Sequence, residues 1–371
     1  MLKIVHGADL HLDSAFAALG AEKAAQRRRE GRWLVERLCE LTRREQADVL
    51  LLAGDLFDGR HVYPETLETM AEAFAALEAR VFIAPGNHDP YVSGGAYARV
   101  RWSDNVHIFT SPAIEAVELP EKNAVIYGAA FTAAQRTDAP LADFSAPRDG
   151  RTHILLLHGE VTGGDSVYAP IRREEIARSG LSYLALGHIH QYSGVQRSGE
   201  TFWAYPGCPE GRGFDETGEK GVLVGTVDAA SAALTFCPLA RRQYQLCPVD
   251  ITNAADVAET VRGALPASAA MDVVRVILTG DRPDSGVELS RLAERLGELC
   301  YELELRDETH ARADLFAGAG EDSLRGLFLR RMKEKLDAAQ TEEERQLAEE
   351  ALRFGAAALA GRDLNGRGTE A

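Results

Sequence analysis

The tetrapeptide Gly86-Asn87-His88-Asp89 constrains this chain more than any other stretch. It follows the apolar run Val81-Phe82-Ile83-Ala84, and Pro85 stops that run. The pattern predicts a buried strand that ends in a tight polar turn. One such turn says little, because Asn and Asp also serve turns for local backbone reasons. Four other stretches repeat the arrangement. Leu2-Lys3-Ile4-Val5-His6 leads to Asp9 and His11, and Val49-Leu50-Leu51-Leu52-Ala53 leads to Gly54-Asp55-Leu56-Phe57-Asp58. His153-Ile154-Leu155-Leu156-Leu157 ends at His158-Gly159-Glu160, and the run 181–186 ends at Gly187-His188-Ile189-His190. Helical patterns at 21–46, with Leu34, Leu38 and Leu41 on one stripe, and at 64–79, opened by Pro64, separate the first three strands. Alternating strands and helices predict a layered α/β fold whose ligand site lies outside the carboxyl ends of the strands.

The residues gathered there are Asp9, His11, Asp55, Asn87, His88, His158, His188 and His190. They offer imidazole, carboxylate and amide oxygen but no thiolate, which suits Mn, Fe or Zn rather than a structural zinc site. Eight groups are too many for one tetrahedral ion and suit two ions that share a bridging carboxylate. Paired ions about 3.5–4 Å apart are the usual apparatus of phosphoester hydrolysis. Taken singly each residue has a plainer reading: a strand-end His is commonly a turn residue, and Asp55 could cap a helix. The five-fold repetition of one context carries the metal reading.

Composition bounds the rest. A length of 371 residues allows two or three domains, and 45% hydrophobic with 26% charged residues matches an ordinary globular protein. No apolar run approaches the roughly 20 residues of a membrane helix. The start is too soon charged for a secretory signal. Cys39, Cys208, Cys237, Cys247 and Cys300 are odd in number and widely spaced, which argues against a disulfide framework. These features point to the cytoplasm and to no membrane partner. The net charge of −16 disfavours general adhesion to nucleic acid, so any nucleic-acid contact has to be local or carried by metal.

Composition shifts near residue 240: nine of the ten histidines precede it. The organisation expected is a domain at 1–240, a small α/β domain at 241–315 and a helical tail at 316–371, frayed from Gly361. In the tail, Leu324, Leu327, Phe328 and Met332 form one stripe and Leu347, Ala351 and Leu352 another. They either pack back on the small domain or dock a partner. Tyr91, Tyr97, Arg99, Arg101 and Trp102 either stack bases and pair phosphates or pin a loop. His6, His107 and His153 read as structural, His61 as an exposed loop residue, and Cys208 as packing.

The series Asp-x-His, Gly-Asp-x-x-Asp, Gly-Asn-His-Asp, His-Gly and Gly-His-x-His resembles the calcineurin-like metallophosphoesterases. Within them it is similar to the SbcD-type DNA-repair exonucleases, and particularly to the YhaO-like branch. Ala8-Asp9-Leu10-His11-Leu12-Asp13, Gly54-Asp55-Leu56-Phe57-Asp58, and Tyr205-Pro206-Gly207 leading into Gly211-Arg212 and Glu216-Thr217-Gly218 carry that likeness. The resemblance implies a two-sheet β-sandwich flanked by helices, with a capping domain that binds DNA and a helical tail. It implies that Asp9, His11 and His190 hold one ion, that Asn87, His158 and His188 hold the other, and that Asp55 bridges them. Mn²⁺ is the metal expected first, with Fe or Zn behind it. His88 would be catalytic rather than a ligand, helping the leaving oxygen depart while a metal-bound hydroxide attacks a DNA phosphodiester. The partners expected are DNA, an SMC-like coiled-coil ATPase docked on the tail, and a second copy of the chain. Relatives often carry a second active-site His three residues after the bridging Asp; Asp58 stands there here and reads as a group that orients a ligand. Two rival functions remain: a small-molecule or nucleotide phosphoesterase of the same superfamily, and a metal-binding adaptor for the ATPase.

Overall fold

A strand buried on both faces needs an unbroken apolar sequence, and Val49–Leu52 supplies one. In the computed structural model Val49 and Leu51 point toward a second sheet, while Leu50 and Leu52 pack with helices. The structure describes residues 1–59, 61–282, 286–311, 316 and 318–359.

Two six-stranded sheets dominate the described residues. The first runs, edge to edge, Ala232–Pro238 (β14), Gly221–Val227 (β13), Leu2–Gly7 (β1), Val49–Leu52 (β2), Arg80–Ile83 (β3) and Val106–Ile108 (β4). Strands β1 to β4 are parallel, and β13 and β14 are added antiparallel. The second runs Gln196–Ser198 (β11), Thr201–Ala204 (β12), Tyr183–Gly187 (β10), Thr152–His158 (β7), Ala124–Gly128 (β6) and Glu115–Leu119 (β5). Its four inner strands are parallel and its edges antiparallel.

Ile4, Val49, Leu51 and Phe82 of the first sheet meet Ile126, Ile154, Leu156 and Tyr183 of the second. Helices Ala21–Arg44 (α1) and Pro64–Ala75 (α2) cover the other face of the first sheet through Leu34, Leu38, Met70 and Phe74. Leu38 and Phe74 are fully buried, each stabilising the fold by about 1.5–3 kcal/mol. Arg173–Arg178 (α3) contributes Ile176 to the outer face of the second sheet. The layered α/β fold that the strand and helix patterns predict is therefore present, as the two-sheet sandwich with helices outside that the resemblance implies.

Both early helices stop short of their expected ends for visible reasons. Gln46 takes a left-handed φ of 49°, and Ala47 N–H returns to Thr42 O, which closes α1. Asn105 Nδ2 donates to Phe74 O and Leu77 O, satisfying carbonyls past the end of α2. Strands β5 and β14 are additions that the sequence pattern does not predict. They are edge strands with exposed charged or small residues, so no apolar run marks them.

Packing divides the chain into two units. The first comprises 1–246, 267–275 and 299–302; the second comprises 247–266, 276–298 and the chain from 303 onward. Tyr244–Asp250 (β15), Val273–Thr279 (β16) and Glu302–Asp307 (β18) make a three-stranded sheet, and Asp281–Arg282 (β17) pairs with His310–Ala311 (β19). Helices Val257–Ala264 (α4) and Leu289–Leu296 (α5) lie in the second unit. So do Leu324–Ala338 (α6) and Glu342–Leu359 (α7), which pack on one another. The buried stripe differs from the one read in the sequence. Leu329, Met332 and Leu352 fill the α6–α7 contact, while Leu324, Leu327 and Leu347 are 73%, 50% and 69% exposed. Phe328, Met332 and Leu352 of the expected stripes are in the contact, but Leu329 replaces Leu324 and Leu327, a rotation that periodicity alone does not fix. The end expected to fray from Gly361 lies outside the described residues.

Candidate metal centre

Strands β1, β2 and β3 of one sheet and β7 and β10 of the other end at the same edge, and their polar turns meet there. The backbone bends sharply to achieve this. Asp9, His11, Asp55 and His188 have φ values of 55°, 44°, 51° and 110°, left-handed conformations that L-residues seldom adopt. Such strain persists where surrounding structure enforces it, and it clusters at functional sites. Two glycines make the turns fit. A Cβ on Gly54, at φ 84°, would lie 2.6 Å from His158 Nδ1, and one on Gly86 would lie 2.2 Å from Asp55 Oδ1.

Three imidazoles share one design. His158 Nδ1 is 2.9 Å from Ala53 O, His190 Nδ1 is 2.7 Å from Glu216 Oε1, and His11 Nδ1 faces Asp58 Oδ1 at 3.4 Å. An oxygen acceptor at Nδ1 places the ring proton there and leaves the Nε2 lone pair to point inward. The inward nitrogens converge. His11 Nε2 and His190 Nε2 are 3.1 Å apart, and each is 3.8 Å from a carboxylate oxygen, of Asp55 and Asp9 respectively. His158 Nε2 is 2.9 Å from Asn87 Oδ1 and 3.3 Å from Asp55 Oδ2.

Lone pairs aimed at one another beside two buried carboxylates form a donor set that a cation satisfies, so the residues fit divalent ions. Asp9, His11 and His190 bring one ligand atom each within 4.8 Å of one another, as do Asp9, Asp55 and His158. His188 belongs to no such cluster among the described residues, although its ring stands 5.2 Å from that of His158. Its backbone N–H donates to Asp9.

Burial favours the neutral, ligand-competent imidazole at His11 and His188, whereas it raises the Asp9 carboxyl, although His158 opposes that shift. Burial lowers His188 to about 4, with the nearby charge of His158 adding to the effect. Burial also lowers His11, although Asp58 opposes it. Burial alone would raise Asp55, but His158 more than reverses this and holds the carboxyl well below its usual range. Burial would lower His158, yet Asp55 lifts it to about 9, so in the metal-free chain this imidazole carries a proton beside the carboxylate.

His11, Asp58 and His88 form a third cluster. Asp58 Oδ1 lies 3.3 Å from His88 Nδ1 as well as facing His11, and this contact raises His88 above its ordinary pKa. The His88 ring is half-exposed at the site's mouth. Its neighbour Asp89 points the other way. That carboxylate accepts from the backbone N–H groups of Gly86, Asp55, Leu56 and Phe57 and from Tyr97 Oη. It ties the turn after β3 to the turn after β2.

The aromatic group near 91–102 is a loop anchor. Tyr97 is buried against Phe57, and Trp102 Nε1 donates to Tyr97 O. The base-stacking alternative for these two rings is therefore set aside, while Arg99 and Arg101 remain exposed. His6 is buried in β1, bonded to Tyr183 Oη and Leu186 O. Glu216 and Arg212, which the sequence marks only through the family likeness, and Tyr97 reach the site's residues from distant segments.

Comparison with known proteins gives a consistent answer. The family model for calcineurin-like phosphoesterases matches residues 2–192. The chain is 30% identical over 356 residues to the uncharacterized metallophosphoesterase YhaO of Bacillus subtilis, covering 86% of each chain. It is 24% identical to the SbcD component of nuclease SbcCD from the same organism, over 58% of this chain and 64% of that one. It is 23% identical to the DNA double-strand break repair protein Mre11 of Methanopyrus kandleri, over 59% of this chain and 51% of that one. The chain belongs to the calcineurin-like phosphoesterase family.

Proposed function

We propose that the chain is a two-metal phosphodiesterase that cleaves DNA and that its C-terminal helices dock an SMC-like ATPase with a long coiled coil. The observation that carries the chemistry is the convergence of the His11, His158 and His190 Nε2 atoms, two of these rings anchored through Nδ1, on two buried carboxylates. In this reading Asp9, His11 and His190 hold one ion, Asn87, His158 and His188 the other, and Asp55 both. Mn²⁺ is the metal proposed. Bound there, the two ions would neutralise phosphate charge and make water a competent nucleophile.

The chain's own residues supply orientation and a proton. Asp58 favours the protonated form of His88 and orients its ring through Nδ1. Nε2 is then the nitrogen left to donate to the departing oxygen. Asp89 locks the two turns that carry Asp55, Asn87 and His88.

DNA as substrate rests on the likeness to the two repair proteins, each matched over part of its length. The decisive assay gives purified protein Mn²⁺ with single- and double-stranded DNA, alongside bis-p-nitrophenyl phosphate. Cleavage of both DNA and the small diester supports the reading. Cleavage of the small diester alone favours the nucleotide or small-molecule phosphoesterase.

A further inference from the structure

We propose that Glu216 is the positioning residue for the half of the metal centre built on His190, so that one ion depends on a side chain and the other on the main chain. This rests on the two-metal reading above. His190 needs outside support, because β10 ends at Gly187 and the turn that follows has no regular element of its own.

The loop 207–220 provides it. Lys220 Nζ and the Cys208 backbone N–H donate to His190 O at 3.1 Å and 3.2 Å, and Glu216 Oε1 receives the ring at 2.7 Å. Gly207 lets the loop approach: at φ 80°, a Cβ there would stand 2.8 Å from His190 O.

Glu216 is itself fixed. It is 5% exposed, and its two oxygens accept from Arg212 N at 2.7 Å and Arg212 Nη2 at 2.9 Å. With a guanidinium N–H on one oxygen and a backbone N–H on the other, it is held as an acceptor-only carboxylate. The loop is anchored in turn on α1. Arg27 donates to Glu210 at 2.6 Å and to Gly211 O at 2.9 Å, and Glu30 pairs Arg27 with Arg242.

A buried carboxylate at Nδ1 selects the Nδ1–H tautomer and makes Nε2 a stronger donor to a cation. His158 obtains its tautomer differently, from the Ala53 carbonyl. No substitution changes that acceptor, whereas Glu216→Gln removes the charge from the acceptor at His190. The two half-sites are therefore separable.

The test is metal binding by the full chain without substrate. Titration with Mn²⁺ should show two ions in the wild type. In Glu216→Gln one step should weaken roughly 10- to 100-fold, the usual cost of losing such a partner, while the other stays within about twofold. Glu216→Asp, which keeps the charge but shortens the reach, should weaken the same step less. Histidine ¹⁵N spectra of the metal-free wild type should show His190 as the Nδ1–H tautomer, a readout that does not depend on any variant folding. Unchanged binding in Glu216→Gln, equal weakening of both steps, or an Nε2–H tautomer would overturn the proposal. A wild type that binds fewer than two ions would instead overturn the two-metal reading on which it stands.

Discussion

His88 and Asp58 act as a pair, and the pairing decides what each can do. The Asp58 contact raises the pKa of the half-exposed His88 imidazole and so favours the form that can donate to a leaving oxygen. His88→Ala should therefore keep its metal content, measured by elemental analysis, while turnover of bis-p-nitrophenyl phosphate falls roughly 10²- to 10⁴-fold. Loss of metal in that variant would make His88 a ligand. His6 shows the opposite electrostatic case. Burial lowers it to about 3, so the folded chain keeps it neutral while the unfolded chain protonates it near the ordinary value of 6.5. A depressed histidine contributes stability that is intact above that unfolded value and is lost as pH falls from it toward 3. Between pH 7.5 and pH 5 this one group should cost on the order of 2 kcal/mol in unfolding free energy. His6→Gln, whose side chain does not titrate, should show a shallower decline in urea midpoint over that range; an equal decline would remove His6 as the source.

At the scale of elements, the strand-to-turn junctions carry the function, and they are also what the sequence shows best. Val49-Leu50-Leu51-Leu52 can only be a doubly buried strand, and Gly54-Asp55 directly after it can only be a tight turn. Residue types fix both statements locally. Partners brought by the fold are another matter. Asp89 looks like part of the Gly-Asn-His-Asp turn, yet three of its five donors come from residues 55–57 and one from Tyr97. Glu216 sits 26 positions from the histidine it holds, in a glycine-rich loop with no periodicity to read. Edge strands β5 and β14 escape for the related reason that one exposed side erases their apolar signature. The Asp89 stitch yields a prediction at this scale. Asp89→Asn keeps the size but turns one acceptor into a donor among N–H groups, which leaves buried donors unpaired. It should destabilise the first unit by about 3 kcal/mol in denaturant titration and weaken metal binding through the displaced Asp55 and His88 turns. A variant with wild-type stability would mean that the two turns hold their shape without the stitch.

At the scale of the whole molecule, a chain of net charge −16 has to bind an anionic polymer through a few places only. The exposed Arg99 and Arg101 and the metal centre are the places available in this reading. With two to four phosphate contacts, affinity for DNA should fall roughly ten- to a hundredfold between 50 mM and 200 mM salt, and a salt-independent constant would rule out phosphate contacts of this kind. The tail poses the complementary question, because its surface is densely charged yet carries exposed leucines. Leu329, Met332 and Leu352 already hold α6 and α7 together, so Leu324, Leu327 and Leu347 are not needed for that contact and stand in solvent. In the proposed reading these exposed leucines are the anchors that the coiled-coil ATPase covers. Replacing an exposed leucine leaves no cavity, so Leu324→Glu with Leu347→Glu should fold with an unchanged melting temperature and hydrolyse bis-p-nitrophenyl phosphate at the wild-type rate. The same double variant should fail to co-purify with a coiled-coil ATPase that the wild-type chain retains, because two charges would have to be desolvated in an apolar contact. If it is retained as well as the wild type, the docking surface lies elsewhere, and the exposed leucines of α6 and α7 are ordinary surface residues.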